Sequence, residues 1–185
     1  MDTTQMTSPH QPVVVLSRAL DQAGDVLAAV HPDDLDKPTP CHGWTVRELA
    51  DHLAAAPEHF LQSGRGEQVD WSAGTGVGAD PAQLAAHFRV HADDLLHHWH
   101  GQPDDQVAQA DWQSAELGVH TWDLAQALGR PLPLDDEVAE RGLAFMQQGL
   151  TDDNRGEAFG PPVDVPDDAS AYDRLVAFAG RDPRA

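Results

Sequence analysis

Glu116 and His120 stand four residues apart in the segment Ser114-Ala-Glu-Leu-Gly-Val-His-Thr-Trp-Asp-Leu-Ala-Gln-Ala-Leu-Gly129, which reads as a helix. At that spacing both side chains leave the helix on one face, close enough to hold a single metal ion. A third donor, His52, falls on an earlier predicted helix, where Val46, Leu49, Leu53, Ala56 and Phe60 make an otherwise apolar stripe. Two imidazoles and a carboxylate form the ligand set of a catalytic divalent-metal site with open positions. Such donors suit zinc, nickel, iron or manganese, with zinc expected ahead of nickel. Asp123, three residues after His120, reads as a fourth ligand or as an outer acceptor that fixes the imidazole tautomer. His59, two turns beyond His52, either lines the same cavity or sits at the surface. Asp123 and His59 are the candidates for a catalytic base.

A histidine on an apolar stripe is more often a packing residue than a ligand, so His52 means little alone. Its predicted partners carry more weight, because an ionised carboxylate on a buried helix face is costly unless paired or bound to a cation. Periodicity leaves the orientation of this helix open. One face carries Trp112, Glu116, Val119, His120, Asp123 and Ala127, and the other carries Gln113, Leu117, Thr121, Leu124 and Leu128. His87 and His91, also four apart, have a spacing able to clamp a metal, while His97, His98 and His100 suit a helix C-terminus. These histidines of the third helix read as structural or adventitious. Cys41 reads as a packed loop thiol, and Gly74-Thr-Gly-Val-Gly78 as a flexible loop without the Lys-Ser/Thr of a phosphate cradle.

The elements that must position these residues are helical. Apolar residues from Pro12 to about Val30 recur at helical spacing, and Pro32 with Lys37-Pro-Thr-Pro40 breaks the chain. Thr45 and Glu48 form a capping box for the second helix, with Trp44 and Leu49 as its hydrophobic staple. Asp80-Pro81 opens a third helix running to about Trp99. A fourth spans about Ala110–Leu128 and ends at Gly129 with Pro131 beyond, and a fifth spans 135–150. Residues 160–166 read as extended, and 172–179 as a last short helix or strand. The expected fold is all-α: a four-helix bundle with a short C-terminal appendage. Residues 1–11 are expected to be a disordered tail, and 12–185 a single metal-binding domain.

Composition sets the outer bounds. With 31 acidic and 11 basic residues the 185-residue chain carries a formal charge of -20, which repels phosphate backbones and anionic headgroups. Nucleic-acid and membrane partners are therefore not expected. One cysteine allows no internal disulfide, and neither a signal peptide nor a spanning segment is visible. A cytoplasmic protein acting on a small molecule is the expectation. The tryptophans Trp44, Trp71, Trp99, Trp112 and Trp122 leave room for a homodimer interface.

Several segments together resemble a known family. Pro40-Cys-His-Gly-Trp-Thr-Val-Arg-Glu-Leu-Ala-Asp-His52-Leu is similar to the P-C-x-G-W-T-V-x-x-L-x-x-H signature of the mycothiol-dependent maleylpyruvate isomerase-like metal-binding domain, with His42 where the family usually has proline. Glu116-Leu-Gly-Val-His120-Thr-Trp-Asp-Leu-Ala-Gln-Ala-Leu-Gly resembles its E-x-x-x-H-x-W-D-L-A-x-A-x-G segment. Phe159-Gly-Pro-Pro-Val and Asp173-Arg-Leu-Val-Ala-Phe-Ala-Gly-Arg-Asp-Pro183 resemble the end of actinobacterial single-domain members. The resemblance implies a DinB/YfiT-like bundle with a divalent metal on His52, Glu116 and His120, the residues that spacing had already brought together. It further implies an enzyme that activates a mycothiol-like thiol cosubstrate for S-transfer or isomerisation of a small electrophile. The alternatives are a metal-dependent hydrolase and a non-catalytic module that senses metal or thiol.

Overall fold

The computed structural model describes residues 10–78, 80–130, 132–155 and 159–185. All the regular elements among them are helical: α1 (Gln11–Ala28), α2 (Val46–Gly64), α3 (Pro81–His100), α4 (Ala110–Leu128), α5 (Asp136–Gly149) and α6 (Ala171–Phe178). Short 3-10 turns at Pro32–Asp34 and Val107–Gln109 lead toward α2 and α4. Of the expected tail, residues 1–9 lie outside the described residues, as does Pro131, and Gln11 already belongs to α1.

Local chemistry explains most of the boundaries. At the start of α2 the Glu48 carboxylate accepts from Thr45 N at 2.8 Å, while Thr45 Oγ1 faces Glu48 N at 3.5 Å. Asp80 Oδ1 accepts from Ala82 N at 3.0 Å, with Pro81 filling the first turn of α3, where no donor is needed. Helix α4 stops at Gly129, which takes the left-handed conformation (φ 61°) that closes a helix at little cost for glycine. Ser170 caps the last segment through Asp173 N at 3.1 Å, which makes 171–178 a helix rather than a strand.

Helices α1 to α4 make the bundle. Helix α1 packs against α3 and α4, α2 packs against the same two, and α1 and α2 face each other across the diagonal. Leu16, Leu27, Leu53, Phe60, Leu95 and Leu124 fill the centre. Each such side chain contributes about 1.5–3 kcal/mol relative to exposure. The appendage, α5 and α6, packs on the outer side of α4 around Val119, Trp122, Met146 and Leu175. Helix α4 is thus covered on both sides, and this explains why its hydrophobic pattern has no clear stripe. Gly142 permits the close approach of α5, since a Cβ there would stand 3.1 Å from Ala115 Cα. Gln22 ties α1 to the appendage: its amide donates to Tyr172 Oη, and its Oε1 accepts from Asp135 N at 2.9 Å.

The link between α1 and α2 is pinned by a buried carboxylate. Asp34 receives Lys37 Nζ at 2.8 Å, Arg130 at 3.1 Å and the His31 backbone N–H at 3.0 Å. The Lys37 hydrogen bond, with help from His31 and Arg130, holds its pKa down at about 2 against the ordinary 3.8. A depressed folded pKa stabilises the fold above the unfolded value, and that stabilisation drains away as pH falls toward the folded one. Asp34→Asn should therefore lose about 1–3 kcal/mol of unfolding free energy at neutral pH. In guanidinium unfolding followed between pH 4 and pH 2, the difference from wild type should shrink steadily.

Candidate metal centre

Helix α2 presents His52, and α4 presents Glu116 and His120, at the seam where the two helices pack. Glu116 Oε1 lies 3.3 Å from His52 Nε2 and 3.1 Å from His120 Nε2, so both imidazoles point at one carboxylate oxygen. Ligand atoms held tetrahedrally about 2.0–2.2 Å from a zinc ion stand about 3.3–3.6 Å from one another. The observed separations are close to that spacing. The two rings meet edge to face, with centroids 5.0 Å apart. Trp44, the residue before the α2 cap, closes the other side: it lies edge-on to His52 at 4.9 Å and parallel to His120 at 6.2 Å.

Charge is finely compensated here. Burial alone would raise the Glu116 carboxyl, but the His120 and His52 imidazoles outweigh it and hold it well below the usual carboxylate range. For His120, burial opposes the charged form, while Glu116, Asp123 and Cys41 favour it and push its pKa well above the ordinary value. Cys41 itself is buried, and its Sγ lies within 4.8 Å of donor atoms of His120 and Asp123.

Asp123 is placed behind the site rather than in it. Its Oδ2 lies 3.3 Å from His120 Nδ1, the ring nitrogen turned away from Glu116, though off the line of a well-formed hydrogen bond. The carboxylate is fully buried and is gripped by the Arg181 guanidinium, Nη2 to Oδ2 at 3.0 Å and Nε to Oδ1 at 3.3 Å. Arg181 is the residue that sequence reasoning missed, being 58 residues further along the chain in a loop after α6. Gly180 sets its approach: at φ 86° it lies against Gly160 so closely that a Cβ would stand 2.5 Å from that backbone.

His59 is not at the surface: it is buried, and its ring lies edge-on to Trp71 at 5.8 Å. Burial, reinforced by the neighbouring His52, lowers its pKa. The glycine-rich loop is also tied down, with Asp51 Oδ1 accepting from Thr75 N at 3.1 Å and from its hydroxyl at 2.7 Å. A Cβ on Gly74 would collide with the Asp51 carboxylate. Two cavities reach two of the three donors, Glu116 and His52. One, of about 350 Å³, exposes Glu116 among Trp112, Ala115, Phe145, Met146 and Phe159. The other, of about 270 Å³, exposes His52 beside Trp44, Glu48, Asp51, Trp71 and Ser72. A larger cleft, about 760 Å³, is lined by Lys37, His42, Trp122 and Arg181 and touches none of the three.

Residues 16–125, which include all of His52, Glu116, His120 and Asp123, match the mycothiol maleylpyruvate isomerase N-terminal domain. The chain belongs to this family. The family connects the fold to metal binding and to mycothiol, and the chain holds a donor cluster able to take a metal. Two uncharacterized proteins of Mycobacterium tuberculosis, from two strains, are each 28% identical over 192 residues, covering 94% of this chain and 99% of the relative. No solved structure matches significantly. No helix among the described residues is long and apolar enough to cross a membrane.

Removing one partner of a fully buried ion pair leaves an uncompensated charge, at a cost of about 3–5 kcal/mol. Arg181→Ala should therefore lower stability by about that much, and adding Asp123→Asn should restore part of the loss. A double-mutant cycle by chemical denaturation measures the coupling, and strictly additive losses would rule the pair out as a unit.

Proposed function

We propose that this protein is a metal-dependent thiol enzyme, in which His52, Glu116 and His120 hold one divalent cation and a mycothiol-like thiol attacks a small electrophile. The observation that carries the reading is the convergence of both Nε2 atoms on Glu116 Oε1, at separations that suit a common cation as well as they suit hydrogen bonds. A divalent ion bound there would lower the pKa of a coordinating thiol and make its sulfur nucleophilic at neutral pH.

The chain's own residues supply the rest. Glu116 brings the negative charge that offsets a cation in a site shielded by Trp44. Asp123, held by Arg181, stays beside His120 Nδ1 and so directs Nε2 toward the donor cluster. The cavity beside His52 offers Glu48, Asp51 and Ser72 to a polar thiol, while the aromatic cavity at Glu116 suits the apolar body of an electrophile. A free thiol titrates at about 8.5 and water at about 15.7, so the same cation converts a thiol to its nucleophilic anion more readily than it converts water.

Zinc analysis of protein loaded and then dialysed should show one equivalent fewer in His52→Ala and in Glu116→Ala than in wild type, with helical circular dichroism retained. Cobalt-loaded wild type should develop a near-ultraviolet sulfur-to-metal band when mycothiol is added. Metal binding without that band would reject the thiol and leave hydrolysis or sensing. Unchanged metal affinity in both variants would reject the site.

A further inference from the structure

A second cluster of donors lies on another face of α2. Glu58 is six residues beyond His52, which turns it about 120° around the helix axis. It faces α3, where His87 and His91 stand one turn apart with ring centroids 4.3 Å from each other. Glu58 Oε2 lies 3.4 Å from His87 Nε2 and 3.8 Å from His91 Nε2, and the three donor atoms are mutually within 4.8 Å.

These separations suit ligands around a cation better than they suit hydrogen bonds. His87 Nε2 is buried and has no hydrogen-bond partner, although the Glu58 carboxylate is beside it. A buried polar nitrogen without a partner is a cost that the fold has not relieved internally. Gln62 Nε2 donates to the other oxygen, Glu58 Oε1, at 3.5 Å and leaves Oε2 turned toward the two imidazoles. Asp51, one stripe-repeat before Glu58, adds negative charge felt at His87. Glu58 is 37% exposed, so water can reach the cluster and complete a coordination shell.

We propose that Glu58, His87 and His91 form a second divalent-metal site that staples α2 to α3. Two imidazoles and a carboxylate suit zinc or nickel rather than magnesium or calcium. The staple would sit beside Pro57, where α2 lacks an N–H and so one bond of its ladder. A bound cation would reinforce the helix pair at that weak point. The proposal does not depend on the role assigned to His52, Glu116 and His120.

Zinc titration against a chromophoric chelator tests it on four proteins: wild type, Glu58→Gln/His91→Ala, His52→Ala/Glu116→Ala, and the combined quadruple variant. Wild type should bind two equivalents and each double variant one, with the quadruple variant at least tenfold weaker than His52→Ala/Glu116→Ala. Saturating zinc should also raise the melting temperature of His52→Ala/Glu116→Ala but not of the quadruple variant. If those two proteins give superimposable binding curves, the remaining metal lies elsewhere on the protein and the staple is overturned. Absence of zinc binding by His52→Ala/Glu116→Ala overturns it equally. Loss of one equivalent in Glu58→Gln/His91→Ala but none in His52→Ala/Glu116→Ala would support the staple while rejecting the first site.

Discussion

Asp123 is a carboxylate with no access to water, and a charge so placed must be neutralised by the protein itself. Much of the structure follows from that requirement. Arg181 has to be brought back over α4 from beyond α6, and the turn that delivers it needs a glycine at 180 against a glycine at 160. The backbone around that turn is secured by Arg155, which donates to the carbonyls of Gly160 and Phe178 and lies over the Phe178 ring. With Asp123 fixed, a carboxylate stands 3.3 Å from His120 Nδ1, while Nε2 of the same ring lies 3.1 Å from Glu116.

Helix α4 is the element on which both cores meet, and it carries the polar residues into the middle. Gln113 accepts from the Trp99 indole at 2.8 Å, and Ser114 donates to the Ala110 carbonyl at 3.2 Å, so these buried groups are satisfied locally. At its outer edge Asp111 accepts from Nε and Nη2 of Arg141 on α5, at 2.9 and 2.7 Å. The helix therefore behaves as a polar beam between two apolar layers. Its donors are presented by an element that is packed from several sides, which favours the preorganisation a metal site needs.

What could be read in the sequence was what depends on neighbours along the chain. The Thr45–Glu48 box, the Asp80-Pro81 opening and the Gly129 stop are all contacts within four residues, and each boundary lies where those signals put it. Glu116 and His120 were legible for the same reason, since one helical turn joins them. The orientation of α4 was not, because burial on both sides removes the polar face that periodicity detects. Arg181 and Glu58 were silent because each meets its partners only through tertiary packing, and an isolated arginine or glutamate has no local signature. His59 was ambiguous until Trp71, contributed by the loop after α2, proved to cover it.

The family match ends at residue 125, and the guanidinium that balances Asp123 lies far past it. The segment matched by the family model and the electrostatic unit therefore do not coincide in this chain. During synthesis the three donors of the centre emerge with α4, but the counter-charge behind them arrives only after α6 has been made. Completion of the site is thus coupled to synthesis of the segment beyond α6, and an excised fragment matching the family segment would be a donor set without the Arg181 guanidinium.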